Sequence, residues 1–227
     1  MSSPSEKLPL GLMVPPVPAG HEIPPEPPDV GARALSVASR MLCGASTFFF
    51  LAFVFAYFYL RSLNSHGLWH PAGFKGPQPW AGAVVMGLIV VSAAIQFVAL
   101  QRIKAGHKGA WQAGAATALV LGVGAIGLQV WELLNLPFYP GSAGFASVFA
   151  GATPVFLAVV FGAMVWLEIL LSRAARLPAI SFVEQPPTYA EAFSVQRFQA
   201  SLSAFTVVWN YLAAIAILFW VLFYLVA

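Results

Sequence analysis

Five long apolar runs, at residues 41–60, 80–100, 110–134, 146–171 and 203–226, constrain this chain more than any other feature. A bilayer's hydrocarbon core is about 30 Å thick and is crossed by about 20 residues of helix. Inside it every backbone N–H and C=O must find a partner within the segment, so a continuous apolar run predicts a helix. A membrane β-barrel would instead alternate in segments of about ten residues. Only 8% of the chain is charged, against roughly 25% in soluble domains. The expectation is an all-α polytopic membrane protein, a bundle of five transmembrane helices over residues 39–227.

Residues 1–38 read differently. Nine of the eighteen prolines fall in the first 28 residues, and proline fixes φ and removes a backbone donor, so an extended extramembrane tail is expected. The opening residues show no apolar core of a cleavable signal peptide. Cys43 is the one cysteine, which leaves neither a disulfide framework nor a cysteine metal cluster. With the amino terminus cytoplasmic, Lys7, Arg33, Arg40, Arg102, Lys104, Lys108, Arg173, Arg176 and Arg197 lie inside, and Arg61 and Lys75 outside. This positive-inside bias puts the carboxyl terminus outside and accounts for the net charge of +3, so no nucleic-acid partner is expected.

Membrane haems are held by side chains projecting from spans, but His21, His66, His70 and His107 all fall between the runs. His66 and His70 have metal-sharing spacing, yet Gly67 and Pro71 place them in a loop. Met86 and Met164 read as packing residues. No haem or copper site is therefore expected in this chain. Two carboxylates lie within spans, where ionisable groups are costly and are the default functional candidates: Glu132 and Glu168. Gln129 and Glu132 are three apart, share a helical face and can bond one partner. The orientation puts Glu132 near the outer end of its span. There it is a headgroup-hydrated or helix-capping carboxylate, a polar contact between helices or subunits, or a proton-exchanging group. Glu168 lies in the cytoplasmic half of its span, with Arg173, Arg176 or Lys108 as the expected partner.

Packing expectations come from side-chain size. Gly114, Gly122, Gly124 and Gly127 let other backbones approach the third span closely, which predicts a central helix. The aromatic crowd from Phe48 to Tyr59 in the first span suits lipid or a broad intersubunit surface. Trp69, Trp80 and Trp131 mark an outer interfacial belt, and Trp111 and Trp209 an inner one.

The run FFFLAFVFAYFYLRS, ending at Arg61, resembles the phenylalanine-rich helix of subunit III of the haem-copper terminal oxidases. The following GLWHPAGFKGPQPW, with Trp69, is similar to that family's Trp-Pro loop. GLQVWELLNL resembles its Gln-x-x-Glu motif, and VVWNYLAAIAILFWVLFYL its last helix. Order, spacing and orientation agree from about Ser39 onward. Other family positions differ: Ser46 stands where many members have a glutamate, Val155 and Ala158 where histidines are common, and Asn210 and Ala213 where a histidine and an aspartate follow the tryptophan. Gln129 and Glu132 are the polar pair that survives.

The resemblance implies a divergent five-helix bacterial form of subunit III, a non-catalytic chain in the cell inner membrane. Its complex would be a cytochrome c or quinol oxidase of the aerobic respiratory chain, reducing oxygen to water with proton translocation. Subunits I and II would be its partners, haem and copper would reside in the catalytic subunit, and bound phospholipid is expected. Gln129, Glu132, Glu168, Arg61 and Trp69 are then structural, lipid or subunit contacts. The alternatives are a subunit III-like protein of a nitric oxide reductase, a small membrane transporter, or a scaffold.

Overall fold

A computed structural model describes residues 28–64, 67–177 and 189–226, and it is all-helical. The helices are α1 (Pro28–Leu63), α2 (Pro79–Lys104), α3 (Lys108–Leu134), α4 (Gly144–Arg176) and α5 (Tyr189–Trp220), and Val221–Leu225 prolongs α5 as a π-helical turn. Among the described residues, five helices are long and apolar enough to cross a membrane, and the chain is a multi-pass membrane protein. Most of the proline-rich tail lies outside the described residues. Its last part does not: residues 28–38 belong to α1. Pro28 does not prevent this, because the first turn of a helix has no use for the missing N–H. Pro79 opens α2 in the same way.

Helices consecutive in the chain run antiparallel, so α1, α3 and α5 end on the same side. Between α2 and α3 the reversal takes three residues, Ala105, Gly106 and His107, and Gly106 has φ of +89°, a left-handed geometry that closes a helix end readily only in glycine. The turn returns backbone bonds from Gly106 N to Ile103 O and from His107 N to Arg102 O. Lys108 then donates to the carbonyl of Leu177 at 2.6 Å, which ties the start of α3 to the end of α4.

The central helix is α5. Its most apolar window is 56% buried, against 28% for α3, which corrects the expectation drawn from the α3 glycines. Those glycines divide by face. A Cβ on Gly122 would strike the Met164 side chain, and one on Gly114 would meet Ala99, whereas Gly124 and Gly127 face open space. Two are thus used for close packing inside the chain. The first span behaves as its aromatics suggest: only Phe50 and Tyr57 of its aromatic cluster are fully buried, and Phe48 is 80% exposed.

Trp111 and Trp209 do not form an inner belt, because both are wholly buried. Trp111 packs edge-on against Phe198 at 5.7 Å. Trp209 donates from Nε1 to Ser92 Oγ at 3.1 Å, and the Ser92 hydroxyl donates in turn to the carbonyl of Ala118 at 2.7 Å. Three helices are thereby joined at mid-span through one hydroxyl. Trp80 and Trp131 are exposed neighbours, with rings 5.8 Å apart, whereas Trp69, expected in the same belt, is buried.

The glycine split gives a matched test. Gly122→Val, which overpacks the α3–α4 contact, is expected to destabilise the isolated chain in detergent by about 1–3 kcal/mol. Gly124→Val, two residues on, is expected to leave thermal unfolding unchanged. Equal unfolding temperatures for both variants would contradict the packing described.

Candidate functional site

The end of the bundle where α1, α3 and α5 finish gathers most of the polar residues singled out above. Gln129 and Glu132 occupy the last turns of α3 and are 7% and 2% exposed. Gln129 donates from Nε2 to Glu132 Oε2 at 2.8 Å, the i, i+3 contact that their spacing predicts. The third member comes from the other end of the chain. Tyr224 donates its phenolic hydrogen across both carboxylate oxygens, at 2.9 Å to Oε1 and 3.0 Å to Oε2.

Two features deliver Tyr224 to that point. The π-helical turn, closed by Val226 N to Val221 O at 3.0 Å, widens the end of α5. Its ring then lies against Gly82 of α2, where any Cβ would occupy the ring's position. Glycine is required here for space, its φ being unexceptional. Phe149 of α4 packs edge-on to Tyr224 at 6.1 Å and to Phe223 at 5.4 Å.

Arg61 and Trp69 belong to the same assembly. Arg61 donates to the carbonyl of Val226 at 2.7 Å and to Tyr57 Oη at 3.3 Å, so a cation caps the carboxyl end of the last helix, where the dipole favours it. Trp69 is buried, edge-on to Tyr57 at 4.9 Å and to Phe145 at 5.8 Å. Tyr57 in turn meets Phe223 at 6.0 Å. Residues 221–226 are therefore held by α1 through Arg61 and Tyr57, by α2 through Gly82, by α3 through Glu132 and by α4 through Phe149. Beside them lies a cavity of about 30 Å³ lined by Gln129, Thr153, Trp220 and Tyr224 among others.

Of the surroundings expected for Glu132, the polar contact between helices is the one observed: it is buried, and it joins α3 to the turn that prolongs α5. Chemically the set is a carboxylate with two neutral donors, which satisfies oxygens that would otherwise be costly to bury. Tyr224 was not singled out in the sequence. A signal was available, since antiparallel counting brings the end of the fifth span level with the end of the third, and Tyr224 carries a hydroxyl there.

Glu168 stands apart. It is exposed and has no hydrogen bond or ion pair among the described residues, and Lys108 is bonded to Leu177. The expected partners on its own helix fail on geometry. Arg173 is five residues on, about 140° around the helix, outside the i+3 and i+4 positions that meet. His66 lies outside the described residues. His70 stacks on Phe74 with ring centres 5.2 Å apart. Burial, and then the charge of Arg61, hold its imidazole below the usual histidine range.

A comparison with protein-family models and one with curated proteins each found no match to this chain.

Tyr224→Phe keeps the ring and removes the donor, leaving Glu132 buried with Gln129 alone. A loss of about 1–3 kcal/mol in unfolding stability is expected. Gly82→Ala is expected to match it by expelling the ring, and a wild-type unfolding temperature in both would disprove the closed set. For His70, whose folded pKa is depressed, the loop contribution is complete above the ordinary histidine value of about 6.5 and declines as pH falls through it. Protection factors of the amides in residues 67–74, taken relative to intrinsic exchange at each pH, should therefore fall below that pH, and His70→Phe should abolish the fall.

Proposed function

We propose that this chain is an accessory, non-catalytic subunit III of a bacterial haem-copper oxidase, seated in the inner membrane with its amino terminus cytoplasmic. The observation that carries this reading is the set of ordered motifs described for the sequence, ending at Arg61, Trp69, Glu132 and the last helix. All four motifs supply residues to one assembly around Val221–Val226. Motifs far apart in sequence thus share a structural task, which is the behaviour expected of a subunit whose contribution is to hold shape. In that complex, subunits I and II would carry haem and copper. This chain would support the catalytic subunit, bound lipid sites with its aromatic outer face, and leave oxygen chemistry and proton movement to its partners.

The polar residues near mid-span favour this over transport. A transporter lines a path with polar groups at the midplane. Here Ser92 bonds Ala118, Thr117 bonds Ala113, and Thr47 bonds Cys43 and Tyr211, so these hydroxyls are engaged separately inside or between helices. Gln96 is fully buried.

Affinity purification of the tagged chain from its own membranes in mild detergent tests the reading. Stoichiometric recovery with two larger membrane subunits and a haem absorption spectrum is expected. Glu132→Ala should lower that recovery through loss of folded chain, leaving turnover per haem unchanged in what remains. Solute flux by the isolated chain in liposomes, without haem in the purified material, would overturn it.

A further inference from the structure

Glu168 lies deeper than its position in α4 suggests. The antiparallel register that sets Lys108 against Leu177 and Gly122 against Met164 sets Glu168 against Ala118. Ala118 accepts the Ser92 bond from the middle of α2 and is three residues from Leu121, the midpoint of α3. At 1.5 Å per residue, Glu168 is within about 5 Å of that midpoint. It is nevertheless exposed, as are Phe161, Val165 and Ile169 of the same helix. Of the eleven basic residues ten are among the described residues, and none is paired with it.

An ionisable group at this depth on a lipid-facing surface is expensive, and such groups face protein or pair with one another. We propose that the exposed face of α4 around Glu168 is a docking surface for a transmembrane helix of another chain, which places an arginine or lysine against the carboxylate. Charge complementarity selects that occupant. A carboxylate in low dielectric is relieved most by a cation, and a basic residue within a partner's span has the reciprocal need. Gly162, one turn and a half before Glu168, faces open space and lets the partner backbone come close. The proposal rests on the reading of this chain as a subunit of a membrane complex, and it names the face used.

The test uses the complex in its own membranes, with a benzophenone amino acid in place of Val165 so that Glu168 is retained. Irradiation is expected to give one adduct with a second polypeptide, attached within a turn or two of an intramembrane Lys or Arg. Glu168→Ala and Glu168→Gln should each lower recovery of that polypeptide at least tenfold, with Glu168→Asp intermediate and the helix content of the isolated chain unchanged. Adducts confined to lipid, to a second copy of this chain or to the segment containing Lys7 would overturn the proposal, as would undiminished recovery with Glu168→Ala. The haem spectrum separates the two readings: a mapped basic partner without haem keeps the docking face and rejects the oxidase, and haem with lipid adducts does the reverse.

Discussion

A phenolic hydroxyl shared between two carboxylate oxygens closes one end of this bundle. Tyr224 reaches Glu132 only because Gly82 leaves room for its ring and because a π-helical turn widens the backbone before it. Once it is there, the end of α5 touches every other helix. Arg61 from α1 neutralises the carbonyl end, Phe149 from α4 packs along the rings, and Gln129 completes the carboxylate's shell. In hydrocarbon there is no hydrophobic drive to bring helices together, so such polar closures and close van der Waals fits must hold the arrangement. The Tyr224 end uses the first of these, and the Gly122–Met164 contact uses the second.

The two intramembrane carboxylates illustrate opposite solutions to one cost. Glu132 is enclosed and bonded by its own chain, so its location demands nothing from outside. Glu168 is left open by its own chain on an exposed face of α4. A single fold can therefore be self-sufficient at one end and incomplete in its middle. That asymmetry fits the accessory-subunit role proposed above: an internally closed body with one polar group its own fold leaves unmet.

Much of this was legible in the residues, and the reasons for the remainder are specific. Five apolar runs give five helices because hydrocarbon forbids any other local solution, and the Gln129–Glu132 contact follows from spacing alone. The start of α1 at Pro28 was hidden by proline content, which speaks against helix interiors but is silent on first turns. The centrality of α5 was hidden because small residues permit close approach without saying which neighbour makes it. Gly122 and Gly124 are chemically the same and differ only in the direction they face. Trp111 and Trp209 looked interfacial by type, yet each found a buried partner from another helix, Phe198 and Ser92. Tyr224 depended on a register between the third and fifth spans, a tertiary fact that composition does not carry.

The span between Glu132 and Tyr224 also has a meaning in time. Ninety-two positions separate them in the chain, so at ribosomal rates of about 5–20 residues per second the tyrosine is made on the order of 5–20 s after the glutamate. For that interval Glu132 has Gln129 of its own helix as a donor but lacks the phenol that later spans both of its oxygens. The closing turn of α5 is thus a clasp that can act on α3 only after the four preceding helices have been made.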